Sequence, residues 1–539
     1  MVAEGRPDSS AQRVVVFTGS LNYSVRKGIV EIDDAIPGLQ WLIVVSTSRK
    51  SLRRLLRSQV QNVRRNGWRW LPYQAGDVLQ RLFAHRLTHE PVAPIPGHEY
   101  TRKALEARES IRIQHFDDIH SQAAIECVQR FNPDLGLSLA APILRRTMFA
   151  SPRMGTINLH KGKLPEFRGM PPAFWEIWHN ASIVGCSVHC VDDKLDTGHL
   201  LAQTHVQRRR YSSVKGLQLE LDEVAIGLTR DAVRAMLDGS AAPWPQPKTN
   251  SATFRKPTLA QQAQLRARLA DPVMPGEAIK AIAKDGLAQA TLALHALGVS
   301  RVLKPRAAVL LYHRVTDEVR DNLTVGVEQF DRHMAWLATH CQLVPIDELV
   351  TMQVLPRSDR PLVAVTFDDG YFDNYWHAAP ILRRHGVPAA FFVSTGIINS
   401  EHQFPHDLKR RNPAIAKMSW EQLHEMRRWG FTIGSHTVNH IDCASESEQV
   451  VRQELEHSRR ALEEQLGVKR AIFAYPYGGR QHMTAQRLEW VKDAGYVGCL
   501  SAYGGTNVGR IDKFNVLRTS ISHAFSDCSF QRLCIGLRR

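Results

Sequence analysis

Two features of secreted and membrane proteins are missing from this 539-residue chain. Met1–Arg13 is polar and charged, with no apolar run ahead of a small-residue cleavage site, so no signal peptide is expected. The most apolar later stretch, Ala281 to Leu303, is broken by Lys284, Asp285, His295 and Arg301. It cannot span a bilayer and reads as a linking helix. Cysteine is scarce, eight residues scattered without the spacing of a disulfide framework, which suits a reducing compartment. Repeats and low-complexity tracts are also absent. These absences, with 43% hydrophobic and 23% charged residues, predict an ordinary cytoplasmic globular chain. It is too long for one hydrophobic core, and its length suggests three or four units.

Acidic residues are in short supply, 53 against 69 Lys and Arg, for a net charge of +16. Excess positive charge can mark nucleic-acid binding, but no nucleic-acid-binding motif accompanies it, and no such partner is expected. The densest basic patch runs from Arg49 to Arg69. Leu52, Leu55, Leu56, Val60 and Val63 fall on one helical face there, with Arg53, Arg54, Arg57 and Arg64 around the rest. The plain reading is a solvated helix; a phosphate-bearing ligand or a membrane surface is the alternative.

The run from Arg13 to Ser20 is apolar and ends in small residues, as a buried parallel strand does on entering a ligand-binding loop. Further strands are predicted at Leu39–Val45, Leu135–Leu139, Thr156–Leu159 and Gly185–Val191, with helices between. The alternation predicts an α/β chain whose N-terminal domain, 13–208, is doubly wound and Rossmann-like. Residues 1–12 read as a flexible terminus, 209–272 as a helical extension (Gly216–Leu237, then Leu259–Leu269) and 273–305 as the linker. Strands then recur in 306–539, at Ala307–Tyr312, Val363–Thr366, Ala389–Val393, Thr432–Ser435 and Ala471–Ala474, which predicts a (β/α) barrel, complete or partial.

Two stretches carry chemistry. In the first, Asn158 and His160 precede Leu164-Pro165, Arg168-Gly169 and Pro171, with Asp196-Thr197-Gly198 downstream. Acyl transfer to an amine passes through a tetrahedral intermediate and needs a proton acceptor and an oxyanion donor. A His beside a carboxylate and an Asn amide supplies both. This ordered set resembles the folate-dependent formyltransferases, which act on glycinamide ribonucleotide, methionyl-tRNA or sugar nucleotides. The resemblance implies that Asn158 and Asp196 position the formyl group and His160 moves the proton. It also implies 10-formyltetrahydrofolate as co-substrate, near Leu137, Ile143 and Asp192. Lys161-Gly-Lys163 departs from the family's usual Ser and apolar residues. The 209–272 segment is too short and too helical for the tRNA-binding β-barrel of some members, so a small amine, an amino sugar, is expected over tRNA. Cys186, His189 and Cys190 invite a zinc reading, but strand alternation puts the two cysteines on one face and His189 on the other.

In the second, Thr366-Phe-Asp368-Asp369-Gly370 and Gly434-Ser-His436-Thr-Val-Asn-His440 each follow a predicted strand. With 24 histidines, one His-x-x-x-His arises by chance, as at His85 and His89, but that pair lacks the strand-end context. One carboxylate and two imidazoles make a facial metal site, and a second carboxylate can take a proton from water. Together with Ala474–Gly478 the set resembles the polysaccharide deacetylases of the NodB type. The resemblance implies that Asp369, His436 and His440 hold a divalent metal, Zn²⁺ by preference. Asp368 would be the general base, and the Tyr477 N–H would line the oxyanion position. Ala474 stands where the family has an Arg, for which Arg518 is the candidate substitute. The general acid falls to His313, in a Tyr-His context, rather than to His523, with a merely structural His313 as the alternative.

The pairing predicts a bifunctional enzyme that deacylates and formylates a small N-acetylated amine, one that could bear a phosphate or nucleotide. The alternatives are that the second domain removes formyl groups, or that one domain only binds.

Overall fold

The computed structural model describes residues 11–47, 52–67, 96–249, 253–269 and 305–535. Most of the flexible terminus 1–12, the linking helix at 273–304, and His85 and His89 lie outside these residues. In the basic patch Leu52–Asn66 is helical, and side chains are described from Gln59 onward. Val60, placed on the apolar face by its periodicity, is exposed there, as are Arg64 and Arg65.

Two compact units result, rather than three or four. The first is built mainly from residues up to 269 and the second from 305 onward, with residues 96–97 and 210–212 grouped with the second.

The first unit holds a seven-stranded sheet: β1 (Arg13–Thr18), β2 (Gln40–Ser46), β3 (Ile111–Phe116), β4 (Leu135–Ser138), β5 (Thr156–His160), β6 (Ile183–Cys190) and β7 (Leu200–Gln207). The order is β3-β2-β1-β4-β5-β6-β7. The strands β1 to β5 are parallel, as the alternation of strand and helix predicts, and β6 and β7 run antiparallel to their neighbours. Val14, Val15, Val16 and Phe17 are fully buried, because a central parallel strand is covered on both faces. Each such side chain is worth about 1.5–3 kcal/mol of burial.

The helix Val214–Asp238 begins at the N-cap Ser213, whose hydroxyl accepts from Gly216 N, and ends at Gly239 with φ 76°. Its first turns bury Leu217, Leu221 and Ala225 with Val184, Cys186 and Val206, while Ala232, Val233 and Leu237 join the cluster around Val14 and Ile29. The segment expected as a helical extension of the first domain packs into that unit's core.

In the second unit, six parallel strands lie side by side in chain order: Arg306–Tyr312, Leu362–Phe367, Ala389–Val393, Thr432–Ser435, Phe473–Ala474 and Cys499–Leu500. The last two contain two residues each. The outer edges approach one another through a single segment: Val516 bridges to Leu500, and Thr519–Ser520 pairs with Arg306–Tyr312. The expectation of a (β/α) barrel, complete or partial, meets here a largely parallel sheet of mixed α/β type with this irregular closure. After Leu500 the chain turns through Gly504, Gly505 and Gly509, all at positive φ, and adds the two-residue strands Asn507–Val508 and Thr519–Ser520 before the helix Asp527–Cys534. All eight cysteines are free. Among the described residues no helix is long and apolar enough to cross a membrane.

Candidate active sites

In the first unit Asn158 and His160 project from the C-terminal end of β5, and Asp196 comes from the turn between β6 and β7. The register of β5 and β6 sets Asn158 opposite His189. Strand alternation then turns Cys186 away into a hydrophobic cluster, while His189 faces the catalytic side. Asp196 sits between the two imidazoles, with Oδ2 3.6 Å from His160 Nδ1 and Oδ1 3.6 Å from His189 Nε2. His160, Asp196 and His189 are all buried.

The hydrogen bonds assign the tautomers. His160 Nε2 lies 2.8 Å from the Phe167 carbonyl, so this nitrogen carries the hydrogen and Nδ1 is the basic atom. His189 Nδ1 lies 2.8 Å from the Cys190 carbonyl, which makes Nε2 the acceptor of the Asn158 amide N–H at 3.1 Å. One Asn158 N–H remains for a substrate oxygen. Burial lowers the pKa of His160 against the upward pull of Asp196. Burial would raise Asp196, but His189, His160 and the Gly169 N–H together hold it below the usual carboxylate range.

Backbone requirements explain the motif glycines. A Cβ on Gly198 would stand 1.8 Å from the Cys190 carbonyl oxygen. A Cβ on Gly162 would come within 2.5 Å of both His160 Nε2 and the Phe167 oxygen, cutting their hydrogen bond. The Lys161-Gly-Lys163 departure thus keeps the residue that His160 needs. Its Lys161 is tied to Asp222, which also accepts from Ser24 Oγ at 2.7 Å.

The residues expected near the folate are less uniform. The side chain of Leu137 is wholly within the core, Ile143 is exposed, and Asp192 accepts from Thr197 Oγ1 and Lys194 N, shaping the loop that carries Asp196. Only the backbone of Leu137 could face a ligand. His189 was passed over because it was weighed only as a zinc ligand, although its alternation already placed it on the face opposite the cysteines.

In the second unit the central polar groups of the site stand at C-terminal strand ends. Asp368 and Asp369 follow Leu362–Phe367, His436 follows Thr432–Ser435, and His313 follows Arg306–Tyr312. His436 Nε2 and His440 Nε2 lie 3.4 and 3.2 Å from Asp369 Oδ1. The three ligand atoms fall within 4.8 Å of one another. Both Asp369 oxygens are buried, and neither accepts a hydrogen bond. A buried carboxylate without donors, facing two imidazole nitrogens, is the donor set a divalent cation takes. The residues present fit a metal. His436 Nδ1 lies 2.7 Å from the Ala474 carbonyl, so Nε2 is left as the lone-pair donor. Burial would raise Asp369, but His436 and His440 hold it well below the carboxylate range.

Asp368 is gripped by Arg518, which donates from Nη1 and Nη2 at 2.7 and 2.8 Å and from Nε to the Ser501 carbonyl at 2.7 Å. The guanidinium absent at Ala474 is therefore supplied by Arg518, itself fully buried. Removing one partner of a buried pair strands the other charge, at about 3–5 kcal/mol. We expect Arg518→Met to lower the unfolding free energy of the metal-free protein by that amount. In chemical denaturation the double variant with Asp368→Asn should recover most of it, and an unchanged midpoint in the single variant would contradict the pairing.

His313 lies in the field of Asp369, Asp368 and His436, its pKa lowered chiefly by burial, and its Nδ1 is buried without a partner. The Asn374 amide holds its carbonyl at 2.8 Å. His523 instead points its Nδ1 at the Asp321 carbonyl, 2.8 Å away, and anchors a loop. The structure sets His313, and not His523, beside Asp368, Asp369 and His436. Tyr477 stands beside them, its ring 5.1 Å from that of His440 and its φ 61°. Glu454, which sequence reasoning missed, accepts from the Val438 and Asn439 N–H groups at 2.8 and 2.9 Å and so shapes the turn between the two histidines. Asp369, Thr437, His440 and Tyr477, like Asp196 in the first unit, are non-glycine residues at positive φ. Such conformations persist where the surroundings enforce them, often at functional sites.

Residues 95–224 match the formyl transferase family and residues 356–498 the polysaccharide deacetylase family. The chain carries one segment similar to each of two enzyme families. A polysaccharide deacetylase homologue of Bacillus subtilis (strain 168) is 27% identical over 34% of this chain and 60% of its own length. The methionyl-tRNA formyltransferase of Geobacillus thermodenitrificans (strain NG80-2) is 32% identical over 29% of this chain and 47% of its own length. The poly-β-1,6-N-acetyl-D-glucosamine N-deacetylase of Staphylococcus aureus (strain MSSA476) is 24% identical over 32% of this chain and 59% of its own length. The chain thus spans about half of each relative it matches. The formyltransferase match covers β4 to β7, which carry Asn158, His160, His189 and Asp196, and the deacetylase match covers Asp368, Asp369, His436, His440 and Tyr477.

Proposed function

We propose that the chain is a bifunctional enzyme: a 10-formyltetrahydrofolate-dependent N-formyltransferase for a small amine, an amino sugar by preference, and a metal-dependent N-deacetylase for a related metabolite. The observation that carries this reading is the completeness of both sites within one chain. Hydrolysis of an N-acyl group frees the amine that formyl transfer consumes, so the two reactions compose into an exchange of acetyl for formyl.

For formyl transfer, His160 Nδ1 takes the proton of the attacking amine and returns it to the folate nitrogen as its bond to the formyl carbon breaks. The imidazolium so formed lies between the Asp196 carboxylate and the Phe167 carbonyl, and Asn158 donates its remaining N–H to the formyl oxygen. For deacetylation, a divalent metal, Zn²⁺ on this reading, held by Asp369, His436 and His440, would supply Lewis acidity toward the amide oxygen and acidify water. Asp368, fixed by Arg518, receives the proton of the attacking water, and His313 gives one to the leaving amine. The Tyr477 N–H faces the oxyanion.

A small substrate fits better than tRNA. Among the described residues, 209–269 form the helices Val214–Asp238 and Leu259–Leu269, with no barrel domain between. The test is incubation of the full chain with N-acetylated sugar nucleotides, Zn²⁺ and 10-formyltetrahydrofolate, followed by mass spectrometry. The product is expected to be lighter by one CH₂, and Asp368→Asn should leave the starting material intact. Activity on polymeric substrates with none on any small acetylated amine would overturn the reading.

A further inference from the structure

The formyl transferase match ends at residue 224, but the loop that carries Asp196 is held from further along the chain. Past the helix Val214–Asp238, Trp244 exchanges two backbone hydrogen bonds with Leu200 at the start of β7, at 2.8 and 2.9 Å. That pairing brings Gln246 to the turn before β7. Its Nε2 donates to the Asp196 carbonyl at 3.1 Å and to the Gly198 carbonyl at 2.7 Å. Carbonyls only accept, so the amide nitrogen faces them and both of its N–H groups are spent there.

The other end of Asp196 is supported from the same stretch of sequence. Phe254 N donates to the Arg168 carbonyl at 2.8 Å, and Met170 N donates to the Phe254 carbonyl at 3.2 Å. These two bonds flank Gly169, whose N–H donates to Asp196 Oδ2 at 3.3 Å. Gly169 has φ 97°, and a Cβ on it would collide with the Phe254 carbonyl. The Phe254 ring stacks on Trp175 at 5.1 Å and on Phe167 at 5.8 Å, and Phe167 supplies the carbonyl that accepts from His160. Asp196 is thus held at its carboxylate through Gly169 and at its carbonyl through Gln246. Its φ of 54° is a conformation that persists only where the surroundings enforce it, and the Gln246 amide is the side chain that fixes its carbonyl.

We propose that Gln246 is a positioning residue for formyl transfer: by gripping the carbonyls on either side of Thr197 it keeps the Asp196 carboxylate against His160. This rests on the formyltransferase reading above.

The experiment titrates His160 in the full chain by NMR of isotope-labelled histidine, its signal identified by its loss in His160→Ala. Formyl transfer from 10-formyltetrahydrofolate to amino sugar nucleotides is measured alongside. Two ionisable groups act on the His160 imidazole, Asp196 raising its pKa and His189 lowering it. Gln246→Met keeps the length of the side chain and removes both N–H groups. With Asp196 released, the His160 pKa should fall, and kcat should drop roughly 10- to 100-fold, as when a catalytic geometry is lost by about 1 Å. Gln246→Ala should act in the same direction and serves if the Met variant does not fold. A wild-type His160 pKa or a wild-type kcat in a folded variant would overturn the proposal. A lowered His160 pKa in the variant, beside a wild-type chain that formylates none of the amines, would leave the clamp standing and overturn the formyltransferase reading instead.

Discussion

The double variant His436→Ala, His440→Ala is expected to lose its bound metal and all measurable amide hydrolysis, while formyl transfer continues at the wild-type rate. Asp369, His436 and His440 are the one group of potential ligands among the described residues that converges, and all three are buried. Removing two of three donors leaves a lone carboxylate, which cannot compete with water for a divalent cation. The formyltransferase residues all belong to the other unit, with its own sheet and core, so their geometry has no reason to change. Elemental analysis should give about one metal per wild-type chain and none in the variant. A ligand present at 100 times its Kd stabilises the folded state by about 2.7 kcal/mol. Added Zn²⁺ should therefore raise the unfolding midpoint of the wild type and leave that of the variant unmoved. Full metal content in the double variant would refute the assignment.

The parts of both sites that lie within continuous motifs were legible from residue order alone. Asp368–Asp369 and His436–His440 each follow a buried strand whose apolar run marks it, and strand ends are where such a sheet exposes its backbone to a ligand. Arg518, the sequence candidate for the family's arginine, reaches Asp368 across 150 positions, where the closure of the sheet by residues 516–520 brings it. What stayed hidden were partners outside the motifs. Glu454 acts from the middle of the helix Glu448–Leu466, where a charged residue reads as one more solvated glutamate. How the strand series closes was out of reach for a related reason. Successive strand and helix patterns predict parallel neighbours, but they do not show how the outermost strands meet, and here the closing strands are two residues long. His189 was the exception, a residue whose alternation pointed correctly while its neighbouring cysteines drew attention to metal binding.

Formyl transfer should fall by about 10²–10⁴-fold in His160→Ala, the range for loss of a general base, with metal content and deacetylation unchanged. The pH dependence of the Asp196→Asn variant tests the pairing behind that loss. His160 must be neutral at Nδ1 to accept a proton, so the rate falls as pH drops through its pKa. Burial lowers that pKa, and Asp196 partly restores it. Asparagine at 196 removes the restoring charge, so the acid limb of kcat/KM should move to lower pH. At the same time the plateau should drop, because the imidazolium formed during transfer loses its counter-charge. A structural defect would lower the plateau without moving the limb. The His189→Gln variant separates a third role: its effect should appear through Asn158, which would lose the acceptor fixing its amide, so kcat should fall while the acid limb stays near its wild-type position. An Asp196→Asn profile with its acid limb unmoved or shifted to higher pH would show that His160 does not act as the base, whatever the size of the His160→Ala loss.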